Sequence, residues 1–265
     1  MFHALYTAAS GMTAQQINLD NIANNLANSS TSGFQARRVQ FSDLLYQNEV
    51  MPGSAATQQT TVSSGLQVGL GTLPGNTEII QTQGDLTTTG NPYDFAIGGT
   101  GQGFFQILLP NGQIGYTRSG SFQPDSQGNL VTANGNALQP AIAIPANATN
   151  VTVGSDGTVS ATIPGQVQAQ QIGTIQLAMF ANPGGLTSAG NNIYLATTAS
   201  GNPVIGTPGG TDGLGTIQQG MLEQSNVNIV DEFVNMILAQ RSYESNSRVV
   251  KAADEMLQGL NQLAQ

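Results

Sequence analysis

The chain has 265 residues, a net charge of −9, no Cys, no Trp, 33 Gly and only 8% charged residues, against roughly a quarter in ordinary globular proteins. The absence of Cys excludes disulfides, thiol catalysis and zinc–thiolate sites, and the acidic balance argues against nucleic acid and anionic lipid as partners. So little charge suits a subunit whose surface is covered mostly by copies of itself.

From Ala4 to Asn28 there is no Pro, and the only charge is Asp20. Leu5, Met12, Leu19 and Leu26 recur every seven residues, with Ala8, Gln15 and Ile22/Ala23 between them. These positions fall on one stripe of an amphipathic helix with coiled-coil spacing. Asn21, Asn24, Asn25 and Asn28 cluster on the opposite side, flanked by Tyr6 and Ile17. Asn is a poor helix former, so a face of neutral amides beside aromatics suggests hydrogen-bonded packing against other chains.

Residues Phe34 to Gln47 read as a bridge in which Phe41, Leu44 and Leu45, at helical spacing, extend or restart the first helix. Arg37-Arg38 supplies its positive charge and is placed to pair with acidic groups of a neighbouring subunit. From Glu49 to Pro74 the chain is low in charge, with Val62, Leu66, Val68 and Leu70 sharing the parity of a strand face. From Glu78 to Gly220 it reads as all-β. Apolar or Thr-rich runs at 104–109, 130–132, 151–153, 172–180 and 193–196 are punctuated by Asn111-Gly112, Asn134-Gly135 and Asp156-Gly157, strong hairpin signals.

The far end is helical again, with no Pro after Asn228. Val230, Phe233, Val234 and Ile237 form one stripe; Val249, Ala252/Ala253, Met256, Leu260 and Leu263 form a second. Asn228 reads as the N-cap, with Asp231 in the first turn. Arg241, Glu244 and Arg248 are spaced for two intrahelical ion pairs or for pairing between subunits. An isolated helix of the N-terminal length is marginal in water, so the two apolar stripes are expected to be each other's partner.

No constellation for catalysis or cofactor binding stands out, and no metal site is expected. His3 is alone. Asp231-Glu232 and Asp254-Glu255 are adjacent on helices and point about 100° apart. Asp125-Ser-Gln-Gly-Asn129 lacks the alternating carboxylates of a calcium loop, and Gly98-Gly-Thr-Gly-Gln-Gly103 lacks the Lys of a phosphate loop. No basic and apolar leader is visible, and no run approaches the length that spans a bilayer.

Ala23-Asn-Asn-Leu-Ala-Asn28 followed by Thr31-Ser-Gly33-Phe34 resembles the N-terminal signature of the rod and hook proteins of the bacterial flagellum, the axial family. Ser225-Asn-Val-Asn228, Met236-Ile237, Gln240-Arg-Ser-Tyr-Glu244, Asn246 and Asp254-Glu-Met256 resemble its C-terminal signature. Asp94-Phe-Ala-Ile97, Gly103-Phe-Phe105, Tyr116-Thr-Arg118 and Gly120-Ser-Phe122 resemble its central domain. Pro52-Gly53, Gln59-Thr-Thr61 and Ser64-Gly-Leu-Gln-Val-Gly69 resemble the stretch that marks the distal-rod branch.

The expected fold class is thus α+β: terminal helices paired as a coiled-coil domain, with an inserted all-β domain and an extended connecting region. The expected division is 1–46, 47–77, 78–224 and 225–265. The resemblance implies a structural subunit that self-assembles into a helical tubular axle transmitting torque, not an enzyme. It implies as partners the chain itself, proximal rod and hook-side axial proteins, the surrounding basal-body rings and the flagellar type III export apparatus, with no membrane insertion. It places the protein in the rod crossing the periplasm, exported without a cleaved leader. The competing class is a secreted β-rich binding module, such as an adhesin or phage-tail component; the two interdependent helical ends favour the axial reading.

Overall fold

The computed structural model describes residues 2–51, 64–99, 102–165, 168–210 and 213–263. Pro52-Gly53, Gln59-Thr-Thr61, Val62 and part of the Gly98–Gly103 run lie outside the described residues. The protein is α+β, and the chain divides into two compact units. One comprises Met1–Leu26, Arg37–Glu78 and Asn228–Gln265; the other comprises Ala27–Ala36 and Ile79–Val227.

The first unit holds α1 (Phe2–Ala27), then β1 (Arg37–Asp43), β2 (Tyr46–Val50), β3 (Leu66–Gly69) and β4 (Thr72–Ile79). β1 pairs with β4, and β2 pairs antiparallel with β3 in the register Tyr46↔Gly69 and Val50↔Leu66. The helix expected to continue through Phe41, Leu44 and Leu45 is therefore absent: Phe41 lies in β1, and Leu44 and Leu45 in the connection to β2. α1 ends at Ala27, a turn with Gly33 at φ +69° redirects the chain, and the Arg37 backbone is engaged by asparagine amides rather than by a helical ladder. Of β1, only Val39 is buried.

The second unit contains β5 (Leu86–Thr88), β6 (Phe95–Gly98), β7 (Phe104–Leu108), β8 (Ile114–Thr117), β9 (Phe122–Pro124), β10 (Leu130–Thr132) and β11 (Ala137–Gln139). It continues with β12 (Asn150–Val153), β13 (Thr158–Thr162), β14 (Gln170–Thr174), β15 (Leu177–Met179), β16 (Thr187–Gly190), β17 (Ile193–Leu195), β18 (Val204–Gly206), β19 (Thr216–Gln219) and β20 (Met221–Glu223). The largest sheet runs β16-β17-β8-β7-β11-β10-β9, with β15 bridging β7 and β18. Smaller sheets are β12-β13-β14, β19-β6 and β20-β5.

The hairpin signals sit where the sequence places them. Gly112, Gly135 and Gly157 take positive φ between β7 and β8, β10 and β11, and β12 and β13. The apolar run 172–180 is not one strand: it divides between β14 and β15 around the fully buried Ile175. Phe95, Phe105, Phe122, Ile107, Leu138 and Val159 form the main core. Phe104, Tyr116, Phe180 and Tyr194 form a second cluster, with Tyr116 and Phe180 edge-to-face at 4.8 Å.

The chain returns to the first unit through α2 (Ile229–Leu263). Its cap is the expected one: Asn228 Oδ1 accepts from the Val230 N–H at 3.0 Å, with Asp231 and Glu232 in the first turn.

Candidate functional site

Two sets of residues tie the chain's ends together, one in each unit. In the first unit the centre is Asn25, only 1% exposed. Its Nδ2 donates to the Arg37 carbonyl and to Glu232 Oε1, both at 2.8 Å, and its Oδ1 accepts from the Arg37 N–H at 3.0 Å. Asn21 Nδ2 donates to the same Arg37 carbonyl at 2.7 Å. Further along, a Cβ on Gly11 would lie 2.8 Å from Asn246 Nδ2. As many residues separate Gly11 from Asn25 as separate Glu232 from Asn246, so α1 and α2 run antiparallel.

The buried side chains of α1 are Ala8, Ala14, Ile22 and Asn25, whereas Leu5, Met12, Leu19 and Leu26 are half-buried. On α2 they are Ala239 and Ala253, with Glu232, Met236, Asn246 and Val250 half-buried. The α2 part of the stripe expected to form the seam is exposed in the single subunit: Val230 69%, Phe233 49%, with Val234, Ile237, Val249 and Met256 similar. The side chains of Leu260 and Leu263 lie outside the described ones. Small residues let two helix backbones approach closely, and here Ala8, Ala14, Ala239 and Ala253 share the inner face with Ile22, which the expected seam included. The asparagine face is also not uniformly outward. Asn24 is exposed and Asn28 half-buried, but Asn25 is turned wholly inward and Asn21 partly so.

The second set lies inside the β body. Arg118, which follows β8, and Glu223, which ends β20, are 6% and 1% exposed. Their guanidinium and carboxylate meet in a fork: Nε–Oε2 is 3.1 Å, Nη2–Oε1 3.0 Å and Nη2–Oε2 2.7 Å. Arg118 Nη1 also donates to the Gly103 carbonyl at 2.8 Å. Glu223 Oε1 accepts in addition from the Gly84 N–H at 3.2 Å and from Gln35 Nε2 at 3.3 Å. Burial pushes the Glu223 carboxyl above its ordinary range, opposed by the Arg118 guanidinium and the Gly84 N–H.

Gly33 and Phe34 of the N-terminal signature belong to this junction. The Gly33 N–H donates to the Glu223 carbonyl at 2.8 Å. A Cβ on Gly33 would fall 2.6 Å from the Ser119 nitrogen, so both close approach and positive φ require glycine. Asn226, from the C-terminal signature, closes the set. Its Oδ1 accepts from the Ala36 N–H at 2.7 Å, and its Nδ2 donates to the carbonyls of Ile80 at 2.8 Å and Thr82 at 2.9 Å.

The sequence reading met Arg118 as part of Tyr116-Thr-Arg118 in the central-domain resemblance and did not single out Glu223. A basic residue alone in a long tract of the chain is the signal that could have prompted a search for a buried partner.

Of the residues expected to form ion pairs between subunits, Arg38 pairs within the subunit, Nη2 lying 3.1 Å from Glu78 Oε2 on an exposed surface. Arg37 is half-buried, and Arg241, Glu244 and Arg248 are exposed. Among the described residues no ion pair links the last three. Asp125 closes its own loop, accepting from the N–H groups of Gln127 and Asn129, each at 2.8 Å. Among the described residues no group of three or more His, Cys, Asp or Glu is gathered to hold a metal, and no helix is long and apolar enough to cross a membrane.

Comparison with known proteins covers both ends and the centre. Residues 5–35 match the family model "Flagella basal body rod protein", residues 97–161 match "Flagellar hook protein FlgE/F/G D1 domain", and residues 218–263 match "Flagellar basal body rod FlgEFG protein C-terminal". The flagellar basal-body rod protein FlgG of Buchnera aphidicola subsp. Schizaphis graminum is 49% identical over 263 residues, 99% of this chain and all of that protein. FlgG of Caulobacter vibrioides is 46% identical over 261 residues, 98% of each chain. FlgG of Bacillus subtilis is 39% identical over 264 residues, again 98% of each. Identity at this level along the whole length, together with signatures at both ends and in the middle, shows that the chain belongs to the FlgG family of flagellar basal-body rod proteins.

Proposed function

We propose that the protein is a subunit of the flagellar distal rod, a helical tube of identical copies that transmits torque from motor to hook. Heterologous contacts that do not close on themselves build such open filaments. The observation that supports this reading most is the split of large and small residues on α2. Ala239 and Ala253 are buried within the subunit, and Val230, Phe233, Val234 and Ile237 are left in an exposed row. In the proposed assembly the terminal helices pair as an antiparallel coiled coil through Ala8, Gly11, Ile22 and Asn25. The outer row of α2, with Leu5, Met12, Leu19 and Leu26 of α1, then meets neighbouring copies. Arg37, Arg241, Glu244 and Arg248 lie among the groups available to those contacts.

The further partners are the proximal rod and hook-side axial proteins, the rings around the rod and the type III export apparatus that delivers the chain without a cleaved leader. The work is mechanical, with no substrate and no cofactor. No observation favours the binding-module reading.

The test is electron microscopy of the purified protein after concentration, beside Phe233→Asp. Tubes from the parent and none from the variant are expected, with the two monomers giving the same circular dichroism. Phe233→Asp rods indistinguishable from the parent's would overturn the assignment of the outer row.

A further inference from the structure

Arg118 is the only basic residue in the stretches 27–36 and 79–227, and it is spent on a single buried carboxylate, Glu223, 105 positions away in the chain. Glu223 in turn holds two further segments that are remote in sequence, around 33–35 and at Gly84. Its side chain accepts from Gln35 and Gly84, and its carbonyl accepts from Gly33. The neighbouring contacts repeat the pattern: Ala36 N–H to Asn226 Oδ1, and Gln224 N–H to the Asp85 carbonyl at 2.8 Å.

The segments so held add little to the apolar interior. None of their residues belongs to the main core built on Phe95, Phe105 and Phe122; Ala36 is buried beside this junction, and Ile79 packs with the smaller aromatic cluster. Polar attachments hold 31–36, 80–85 and 223–226, whereas burial of apolar side chains holds β7, β8 and β11.

We propose that the Arg118–Glu223 pair is a latch, a conformational device that fastens segments 31–36, 80–85 and 223–226 to the β body together and opens without unfolding its core. Two physical points support it. A buried ionic network is cooperative, so removing one partner leaves the other charge uncompensated and the remaining bonds weakened. Regions fixed by polar contacts with few apolar ones open locally at a lower free energy than the core. The device belongs to the single subunit and is separate from the polymerisation proposed above.

The test is native-state amide hydrogen exchange on the dilute full-length chain. In the parent, the N–H groups of Gly33, Ala36, Gly84 and Gln224 are expected to be protected. In Glu223→Gln they should exchange about a hundredfold faster, while Phe105 and Ile107 change by less than about threefold. The double variant Arg118→Leu with Glu223→Leu removes both charges and keeps the site filled. It should show the same selective loss at the four junction amides, and it decides the matter if Glu223→Gln does not fold. Junction amides as protected as in the parent would overturn the latch. Equal acceleration of junction and core amides would overturn it too, because the pair would then be part of one undivided core.

Discussion

Asn25 offers the sharpest test of how the first unit is held. Replacing it by Ala removes both donors of Nδ2 and the acceptor that satisfies the Arg37 N–H. The Arg37 carbonyl keeps Asn21 Nδ2, and Glu232 is only half-buried, so the main loss is one part-buried N–H left unpaired. With a small void, the cost is about 2–3 kcal/mol. Asn25→Asp keeps the shape and reverses the sense of one group. A carboxylate oxygen now faces the Arg37 carbonyl and the Glu232 carboxylate, where Nδ2 had donated to both at 2.8 Å. Two like charges about 4 Å apart near a protein surface repel by up to about 4 kcal/mol. At neutral pH Asn25→Asp is therefore expected to cost more than Asn25→Ala, and adding Glu232→Gln should recover part of the difference. Urea unfolding followed by helical ellipticity measures all four proteins. If Asn25→Asp proves no worse than Asn25→Ala, or both lie within about 0.5 kcal/mol of the parent, the account of this junction is wrong.

Gly33→Ala places a methyl against the fixed backbone of Arg118 and Ser119 at φ +69°; a loss of at least about 2 kcal/mol is expected, read as a lower urea midpoint of the β body. A fragment from Glu78 to Gly220 would lack Gln35, Ala36 and Glu223 and leave Arg118 buried without its carboxylate. If the core stands without the latch, calorimetry should still find a cooperative transition for it, at a lower temperature than for a fragment in which residue 36 is joined to residue 79 and the chain ends at 227. Asp156 is held below the usual carboxylate range by the Thr158 hydroxyl and N–H. Its contribution is therefore present above that range and lost as pH falls through the lowered folded value. The gap in melting temperature between the parent and Asp156→Ala should be constant above about pH 5 and close in acid.

The parts of the fold set by short-range patterns were legible in the residues. Two long Pro-free stretches became α1 and α2, Asn228 capped the second, and the Asn-Gly and Asp-Gly pairs became hairpins. Phe41, Leu44 and Leu45 misled because three positions at helical spacing are too few to outweigh what precedes them. A glycine in the left-handed region at 33 and two asparagine amides at the Arg37 backbone commit that segment to extended chain. The helix faces were misjudged for a different reason. Large apolar residues dominate a hydrophobic pattern, but close helix pairing also selects small ones: Ala8 and Ile22 lay on the expected stripe, whereas Gly11 and Ala14 did not. Asn25 and Asn21 differ in burial although they are one turn apart, and Asn25 meets a residue 207 positions away. Arg118 with Glu223 is beyond any local pattern: nothing within one turn or one hairpin of either residue points to the other.

The placement of Arg118 also gives the molecule a built-in protease reporter. The chain has six basic residues, and between Arg38 and Arg241 the only one is Arg118. Trypsin acting on the native subunit meets Arg38, Arg241, Arg248 and Lys251 exposed and Arg37 half-covered, whereas the bond after Arg118 lies beside a guanidinium that is 6% exposed. Digestion should trim both ends quickly and leave a fragment running from Val39 to Arg241. Its further cleavage requires the body to open at Arg118, so the rate at which that fragment splits in two measures how often it does.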